Sequence, residues 1–410
     1  RAFVRKARGL LQEAQGSAGF RYSADSFLAL ATGVDGGFYE GGETSCSSNC
    51  SPRDDIYDFE DGLSVWAGMT FSIVKPLMTF GRLENYEKAA ENNILVKQQD
   101  VEIQRDQTRL DVVKAYFGYL TARDSRFLLE DTRKRLLAAT DLVQDWLETG
   151  DGDVSQSDLY ALQSGLGLID SFHAEAQGIE LIAMEGLRLL TGRSEAVIEL
   201  ADSRLTPLPL PELSLDGWIE LALANRAEFK QVEAGLVARR ALVEASRANA
   251  NPIVFAGVAG SLAYAPGRDT LDNPHIYDPF NHVAASPVLG MRWQWEQGAQ
   301  PARVAQAQAD LDALVHKASF ARMGIPFQVR EQYYTLQAKY RSIQAMRDSS
   351  KAARRWMIAA YSDFEAGLEK ADKVISAMQV YVLAYAEYLK LVNDYNNSLS
   401  RLQSVSGVIQ

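Results

Sequence analysis

The chain contains few of the residues that build metal or catalytic sites. Among its 410 residues there are two cysteines and four histidines, and the histidines are scattered without metal-ligand spacing. No Ser/His/Asp set, P-loop or dinucleotide-binding glycine pattern stands in a strand–turn–helix setting. We therefore assign catalysis to no residue and expect a protein that is not an enzyme and has no metal and no cofactor.

Long apolar runs and an excess of basic charge are also missing. No run approaches the roughly 18–20 apolar residues of a membrane-spanning helix, which excludes a helical membrane protein. The 42 Lys and Arg are outnumbered by 53 Asp and Glu, which gives a net charge of −11. Because phosphate binding needs a basic face, a nucleic-acid partner is excluded. The composition, 47% hydrophobic and 23% charged, is that of a folded protein.

The two cysteines, Cys46 and Cys50, lie close together in the segment TSCSSNCS. A metal site would need more ligands, and a thioredoxin-like motif has two intervening residues where this segment has three. The spacing favours a small disulfide loop in an oxidising compartment. Two free thiols on a flexible loop are the alternative.

The chain repeats its own pattern. Two long helical runs of equal length are each bracketed by glycines and lie 215 residues apart, Gly152–Gly192 and Gly367–Gly407. Upstream features recur at an offset of 217 residues, Tyr116-Phe117 with Tyr333-Tyr334 and Gly81 with Gly298. A repeat of this length indicates a duplicated supersecondary unit.

Each half predicts a β-hairpin followed by long helices. In the first repeat, residues 1–205, we expect a hairpin over about 18–80 and coiled-coil helices over about 82–190, with the beginning of the repeat missing. In the second, residues 206–410, we expect a helix over about 215–250, a hairpin over about 252–297 and coiled-coil helices over about 299–406. Residues 206–211, Thr-Pro-Leu-Pro-Leu-Pro, are expected to form an extended linker.

The predicted strands alternate with period two. Apolar residues share one face of the second strand: Leu63, Val65, Ala67, Met69, Phe71 and Ile73. The last strand is expected to carry Leu289, Met291, Trp293 and Trp295 on one face. Tryptophans near the end of an apolar strand face are typical of an interfacial aromatic belt or, equally, of an ordinary sandwich core.

The predicted helices carry heptad seams. The C-terminal helix has one of the clearest, formed by Val374, Tyr381, Tyr388, Tyr395 and Leu402 with Met378, Tyr385, Val392 and Leu399. The first half has Leu159, Leu162, Leu166 and Ile169. The preceding helix has Val113, Leu120 and Phe127, then Leu129, Leu136 and Val143 in a shifted register. These tyrosines are expected to pack and not to bind a ligand.

Four strands with an apolar outer face cannot close a barrel within one chain, and open edges are not tolerated in lipid. Three copies would give a twelve-stranded barrel. In order, duplication and spacing, the chain resembles the TolC-like outer-membrane efflux proteins over nearly its whole length. The segments that carry the resemblance are Pro76–Arg82, Ala115–Leu120, Gly152–Leu159, Arg226–Phe229 and Tyr385–Gly407.

The resemblance implies an α+β membrane protein whose duplicated helix–hairpin–helix–helix unit forms, as a homotrimer, a 12-stranded outer-membrane β-barrel continued by a long periplasmic α-helical barrel. It implies a passive exit duct of a tripartite efflux or type I secretion system, gated at its periplasmic tip. The implied partners are outer-membrane lipid, a periplasmic adaptor (membrane fusion) protein and an inner-membrane pump. The alternative is a non-conducting periplasmic scaffold or adaptor, which would carry one helical hairpin where this chain has two.

The resemblance places the gate at the turns between the paired helices. By position, the acidic gate residue of the family corresponds to Asp158 in the first half and to Lys373 in the second. The position of a further acid in the family is occupied here by Ser376. The second turn thus departs from the family pattern, although Asp372 can substitute from the next position, and Glu369 lies on the same helix.

Two further roles are expected at these turns. Gly152 and Gly367 should mark tight turns, since glycine tolerates positive φ. Solvated helix ends without a gating role are the alternative for the charged residues.

Overall fold

A computed structural model describes residues 2–55, 59, 61–150, 154–193, 197–273 and 275–408. Within these ranges the elements follow the predicted order in both halves. The helices are α1 (Ala2–Gly16), α2 (Arg82–Thr149), α3 (Gln156–Thr191), α4 (Leu215–Asn225), α5 (Ala227–Ala248), α6 (Ala299–Glu365) and α7 (Ala371–Val405). The strands are β1 (Arg21–Thr32), β2 (Leu63–Met78), β3 (Ile253–Tyr264) and β4 (His282–Arg292). No helix in the described ranges is long and apolar enough to cross a membrane.

The chain divides into two compact units. One comprises residues 1–98 and 231–316 and contains the sheet, and the other comprises residues 99–230 and 317–410 and is mostly helical. The sheet is antiparallel with the strand order β1-β2-β3-β4. Both predicted hairpins are therefore present, and β2 joins them by pairing with β3. The outer edges of the sheet are β1 and β4.

One face of the sheet, called here the apolar face, exposes large hydrophobic side chains. Leu28 is paired with Ala67 across the first hairpin, and Val258 is paired with Ile73 between the hairpins. Leu28 is 77% exposed, and Val283 on β4 is 88% exposed. A water-facing surface of this kind would be costly, since each large apolar side chain gains about 1.5–3 kcal/mol on full burial.

The opposite face, called here the polar face, carries small and polar side chains. The hydroxyls of Ser23 and Ser72 are hydrogen bonded at 2.8 Å, and Ser261 Oγ lies 3.0 Å from His282 Nε2. Glycines leave room for rings on this face, because a Cβ at Gly68 would stand 2.5 Å from the Phe27 ring. The alternation is thus apolar on one side and polar on the other, the pattern of transmembrane barrel strands.

The last strand is shorter than predicted. It ends at Arg292, so Trp293 and Trp295 follow the strand and do not extend its apolar face. Trp293 donates its indole N–H to the carbonyl of Ala250 at 3.0 Å. Both indoles are more than half exposed, which is inconsistent with a sandwich core within this chain.

The helical unit confirms the heptad seams. On α7 the side chains of Val374, Val392, Tyr395 and Leu402 are buried, and Leu162 on α3 is fully buried. The prediction for Phe127 is wrong, since its side chain is 49% exposed and Leu128 is buried in its place. The Arg126 guanidinium lies over the Phe127 ring at 4.8 Å.

Two further expectations change in this unit. The single helix expected over 215–250 is broken at Arg226, which has an extended backbone with φ −65° and ψ 128°. Its guanidinium pairs with Glu228 at 3.0 Å and donates to Gln328 at 2.7 Å. The proline-rich segment 206–211 forms neither helix nor strand. It is no loose linker, because Leu208 and Leu210 pack against a buried cluster that includes Tyr395 of α7.

Candidate functional site: the helix ends and turns

Glycines in the left-handed conformation end both long helices. Gly150 has φ +76° and donates its N–H to the carbonyl of Trp146 at 2.9 Å. Gly367 has φ +70°, and the next N–H, that of Leu368, reaches the carbonyl of Asp363 at 2.8 Å. A helix C-terminus of this type requires positive φ, which glycine adopts without a Cβ penalty.

The glycines that end the two long helices have a different sequence offset from the helices that follow them. Gly150 and Gly367 are 217 residues apart, the same offset as Gly81 and Gly298, whereas α3 and α7 are related by 215. At the 217-residue offset Gly150 therefore corresponds to Gly367, and α3 begins six residues after Gly150 whereas α7 begins four residues after Gly367. Gly152 itself lies outside the described residues.

Asp158 belongs to the N-terminal cap of α3. Its carboxylate accepts the backbone N–H of Ser155 at 2.9 Å and the Ser155 hydroxyl at 2.6 Å. The Ser155 hydroxyl oxygen in turn accepts the N–H of Asp158 at 3.4 Å. This reciprocal arrangement is a capping box, and an acid in the first turn also complements the positive end of the helix dipole.

The start of α7 carries different chemistry. At the offset of 215 residues, Lys370 and Lys373 replace Ser155 and Asp158, and the N-cap Lys370 makes no side-chain cap bond. Lys373 instead forms an ion pair with Glu369. The expectation that Glu369 lies on the same helix is wrong, because α7 begins at Ala371 and Glu369 precedes its N-cap Lys370. The Glu369 carboxylate raises the pKa of Lys373 by this hydrogen bond, so the ammonium stays charged.

Asp372 and Ser376 complete the second turn. One Asp372 carboxylate oxygen accepts the backbone N–H of Lys373 at 2.8 Å. The Ser376 side chain is exposed. In the described residues, no contact joins Asp158 to Glu369, Asp372, Lys373 or Ser376, so the structure brings together the second-turn residues and leaves Asp158 with its own cap.

Buried apolar side chains pack together next to both turns, near the ends of the helices that the turns connect. The Trp146 ring near the end of α2 lies 5.5 Å from the ring of Phe364 near the end of α6. Phe364 is 1% exposed, and Val374 at the start of α7 is fully buried. Burial and the nearby Glu365 carboxylate raise the pKa of Tyr361. The charged turns are therefore adjacent to a buried apolar cluster.

The sequence contained signals for part of this arrangement. Ser155-x-x-Asp158 is a capping-box pattern in which aspartate takes the place of glutamate, and Glu369-x-x-x-Lys373 is a favourable i,i+4 ion pair. Comparison of the two turns by glycine spacing alone missed both. The described residues contain no group of three His, Cys, Asp or Glu side chains placed to hold a metal ion.

In the sheet-containing unit, the loop after β1 is ordered and contains the two cysteines. A disulfide joins Cys46 and Cys50 with a Cα–Cα distance of 5.8 Å. The two cysteines pack against a small core made of Val34, Phe38 and Tyr39. The loop after β1 is also joined to the loop after β3, because Gly37 N–H donates to an Asp269 carboxylate oxygen at 2.9 Å.

Comparison with known proteins agrees with this architecture. Residues 218–408 match the family model described as outer membrane efflux protein. The chain is 23% identical over 343 residues to the alkaline protease secretion protein AprF of Pseudomonas aeruginosa, covering 83% of this chain and 69% of AprF. It is 26% identical over 253 residues to the protein CyaE of Bordetella pertussis, covering 60% of this chain and 49% of CyaE.

A solved structure extends the match to the whole fold. The outer-membrane channel OprN superposes with a TM-score of 0.77 at 14% identity, covering all of this chain and 86% of OprN. The family match and this likeness in fold agree with the duplicated hairpins and paired helices described above. Residues 218–408 therefore belong to the outer membrane efflux protein family, and the whole chain has the fold of the outer-membrane channel OprN.

Proposed function

We propose that three copies of this chain form a passive exit duct through the outer membrane. The observation that carries the proposal is the sheet, in which four strands expose an apolar face, turn a polar face the other way and leave β1 and β4 unpaired at its edges. Unpaired backbone groups cost several kcal/mol each in hydrocarbon, so a sheet in lipid must close.

Closure by copies of the same chain fits the strand directions. Successive strands are antiparallel, so β4 of one copy can pair with β1 of the next in the same antiparallel sense. Three copies then give twelve strands, an even number within the range of outer-membrane barrels. The apolar face would contact lipid, and the polar face would line the duct.

The helices would continue this duct into the periplasm, and their turns would gate it. Two features support this. Both turns carry charged residues next to a buried apolar cluster, and the charged residues differ between the two repeats. The chain would receive cargo from an inner-membrane pump through a periplasmic adaptor, as part of a tripartite efflux or type I secretion system. The similarity to AprF, whose name denotes protease secretion, supports the secretion role.

Mass measurement and bilayer recording test the duct directly. In mild detergent the protein should have the mass of a trimer with its strand content intact, and the trimer should give discrete conductance steps in a planar bilayer. A non-conducting periplasmic scaffold would give no steps and would not need trimeric strand closure. A monodisperse monomer with intact strands would refute the proposal.

A further inference from the structure

A cavity of about 440 Å³ opens on the polar face at the end where β1 begins and β4 ends. Three arginines line it: Arg21 is the first residue of β1, Arg292 is the last of β4, and Arg82 is the first of α2. The strand register places Arg21 and Arg292 on the polar face, in alternation with Ser23 and Gly290. All three belong to the sheet-containing unit.

The three guanidinium groups have no carboxylate partner within the described part of the chain. Arg21 makes one weak hydrogen bond, 3.4 Å long, to the carbonyl of Ser17. The Arg292 guanidinium lies 5.9 Å from the centre of the Phe255 ring, which is also part of the cavity lining. Positive charge is thus concentrated on one small surface of a chain whose net charge is −11.

The acids near these arginines bond to other side chains, and Glu296 lines a neighbouring pocket together with Arg82 and Arg292. Glu84 accepts a hydrogen bond from the Thr79 hydroxyl at 3.1 Å, and Glu296 is paired with Arg303 at 2.8 Å. Asp25, on the same face, lies four residues along β1 from Arg21, about 13 Å away at the rise of a strand. The start of α2 adds the positive end of a helix dipole beside Arg82.

We propose that this cavity is a binding site for carboxylate groups on solutes or cargo that pass along the polar face. The proposal rests on the proposed duct, in which the polar face lines the lumen. A guanidinium presents a planar fork of N–H donors that matches a carboxylate. Three copies would set nine arginines in a ring, and rings of Arg or Lys favour anions in pores.

Block of single-channel current by citrate, a tricarboxylate, tests the site. The recordings should be made at low ionic strength, since the Debye length shortens to about 8 Å at physiological salt. Citrate should block the unmodified trimer, and the block should be lost in the triple variant Arg21→Gln, Arg82→Gln, Arg292→Gln. The reversal potential in a KCl gradient should shift toward cation selectivity in the same variant.

A matched triple variant controls for net charge. Arg105→Gln, Arg239→Gln and Arg247→Gln remove the same charge from arginines that are exposed and paired with acids. This variant should keep the citrate block. If the first triple variant fails to assemble, the triple lysine variant at the three cavity positions should retain the block, and Arg292→Gln alone should weaken it.

The outcomes separate this inference from the duct itself. A trimer that conducts but is not blocked by citrate, or is blocked equally in the cavity and control variants, would overturn the carboxylate site and leave the duct intact. A trimer without conductance would overturn the duct and, with it, a site that depends on flow along the polar face.

Discussion

Asn396 of α7 is fully buried and bonds to Leu208, 188 residues earlier in the chain. Through this contact it holds the proline-rich segment between the repeats. Its side-chain oxygen accepts the backbone N–H of Leu208, and its side-chain nitrogen donates to the carbonyl of Thr206, both at 2.9 Å. The side-chain amide thus supplies hydrogen-bond partners for one backbone N–H and one backbone carbonyl of a segment that forms no helix or strand. This explains why the segment is fixed although it contains three prolines.

Replacement of Asn396 should therefore destabilise the helical unit. In Asn396→Ala both backbone groups lose a part-buried hydrogen bond, and we expect a loss of roughly 1–2 kcal/mol in the free energy of unfolding. Asn92→Ala is the control, because the half-buried Asn92 donates to the carbonyl of Lys88 one turn earlier in its own helix and does not hold a distant segment. Chemical denaturation of both variants checks this. Equal stability of the two would show that the segment is held by its leucines alone.

Asp124 holds the same region by a second contact and should make its stability pH dependent. Its carboxylate accepts the N–H of Leu205 at 2.9 Å. Burial raises the pKa of Asp124, although the Leu205 hydrogen bond and the charges of Arg123 and Arg204 oppose this. A carboxyl whose pKa is higher in the folded state favours folding below its unfolded pKa, near 3.8, and this contribution is lost as pH rises through the folded pKa.

Asp124→Asn isolates this effect, since the amide keeps an acceptor oxygen for Leu205 and does not titrate. As pH rises from below 4 toward neutrality, the variant should gain stability relative to the unmodified protein. Denaturant unfolding at several pH values measures the difference. A difference that does not change with pH would mean that Asp124 has the same pKa in the folded and unfolded chain.

The sequence allowed prediction of whatever depends on local periodicity. The α7 seam and the alternation of β2 were predictable because apolar residues recur every seven residues in the seam and every two residues in the strand. The break at Arg226 was not, since the side chain that meets its guanidinium, Gln328, is 102 residues away. Trp293 continued the alternation of β4 in sequence but bonds to Ala250 in the structure. At the turns, the glycine pattern was informative, because Gly150 and Gly367 both adopt positive φ.

The disulfide should contribute little to stability. It closes a loop of only a few residues, so its effect should lie at or below the low end of the ~2–4 kcal/mol usual for disulfides. Cys46→Ser should therefore leave the thermal stability of the trimer nearly unchanged. We expect the loop to lie on the extracellular side, where the bond persists. Quantitative labelling of both thiols in the native, unreduced protein would show that the bridge is absent in solution.

The two turn aspartates provide a test of the gate that separates charge from capping. If the turns converge about a threefold axis, Asp158 and Asp372 would place six carboxylates at one mouth and favour cations. Asp158→Ala with Asp372→Ala should weaken cation preference, and the corresponding double asparagine variant should do the same while it retains acceptors for the N-terminal hydrogen bonds. Only the alanine variant should lose protection against hydrogen exchange at residues 156–159, since a lost cap costs about 1 kcal/mol. Unchanged ion selectivity in both variants would make these residues solvated helix ends.

Lys373→Glu tests whether the second turn holds the channel closed. In the structure the Lys373 ammonium pairs with Glu369, and the substitution places two like charges one helical turn apart. The variant should open more often or conduct more, because the turns of neighbouring copies would then repel. An acid in the first turn of α7 suits the helix dipole, so the helix itself should remain intact by circular dichroism. Lys373→Gln is the control that removes the cation without adding an anion, and it should have a smaller effect. Identical single-channel recordings for all three proteins would show that the Lys373–Glu369 pair lies outside the gate and only stabilises the start of α7.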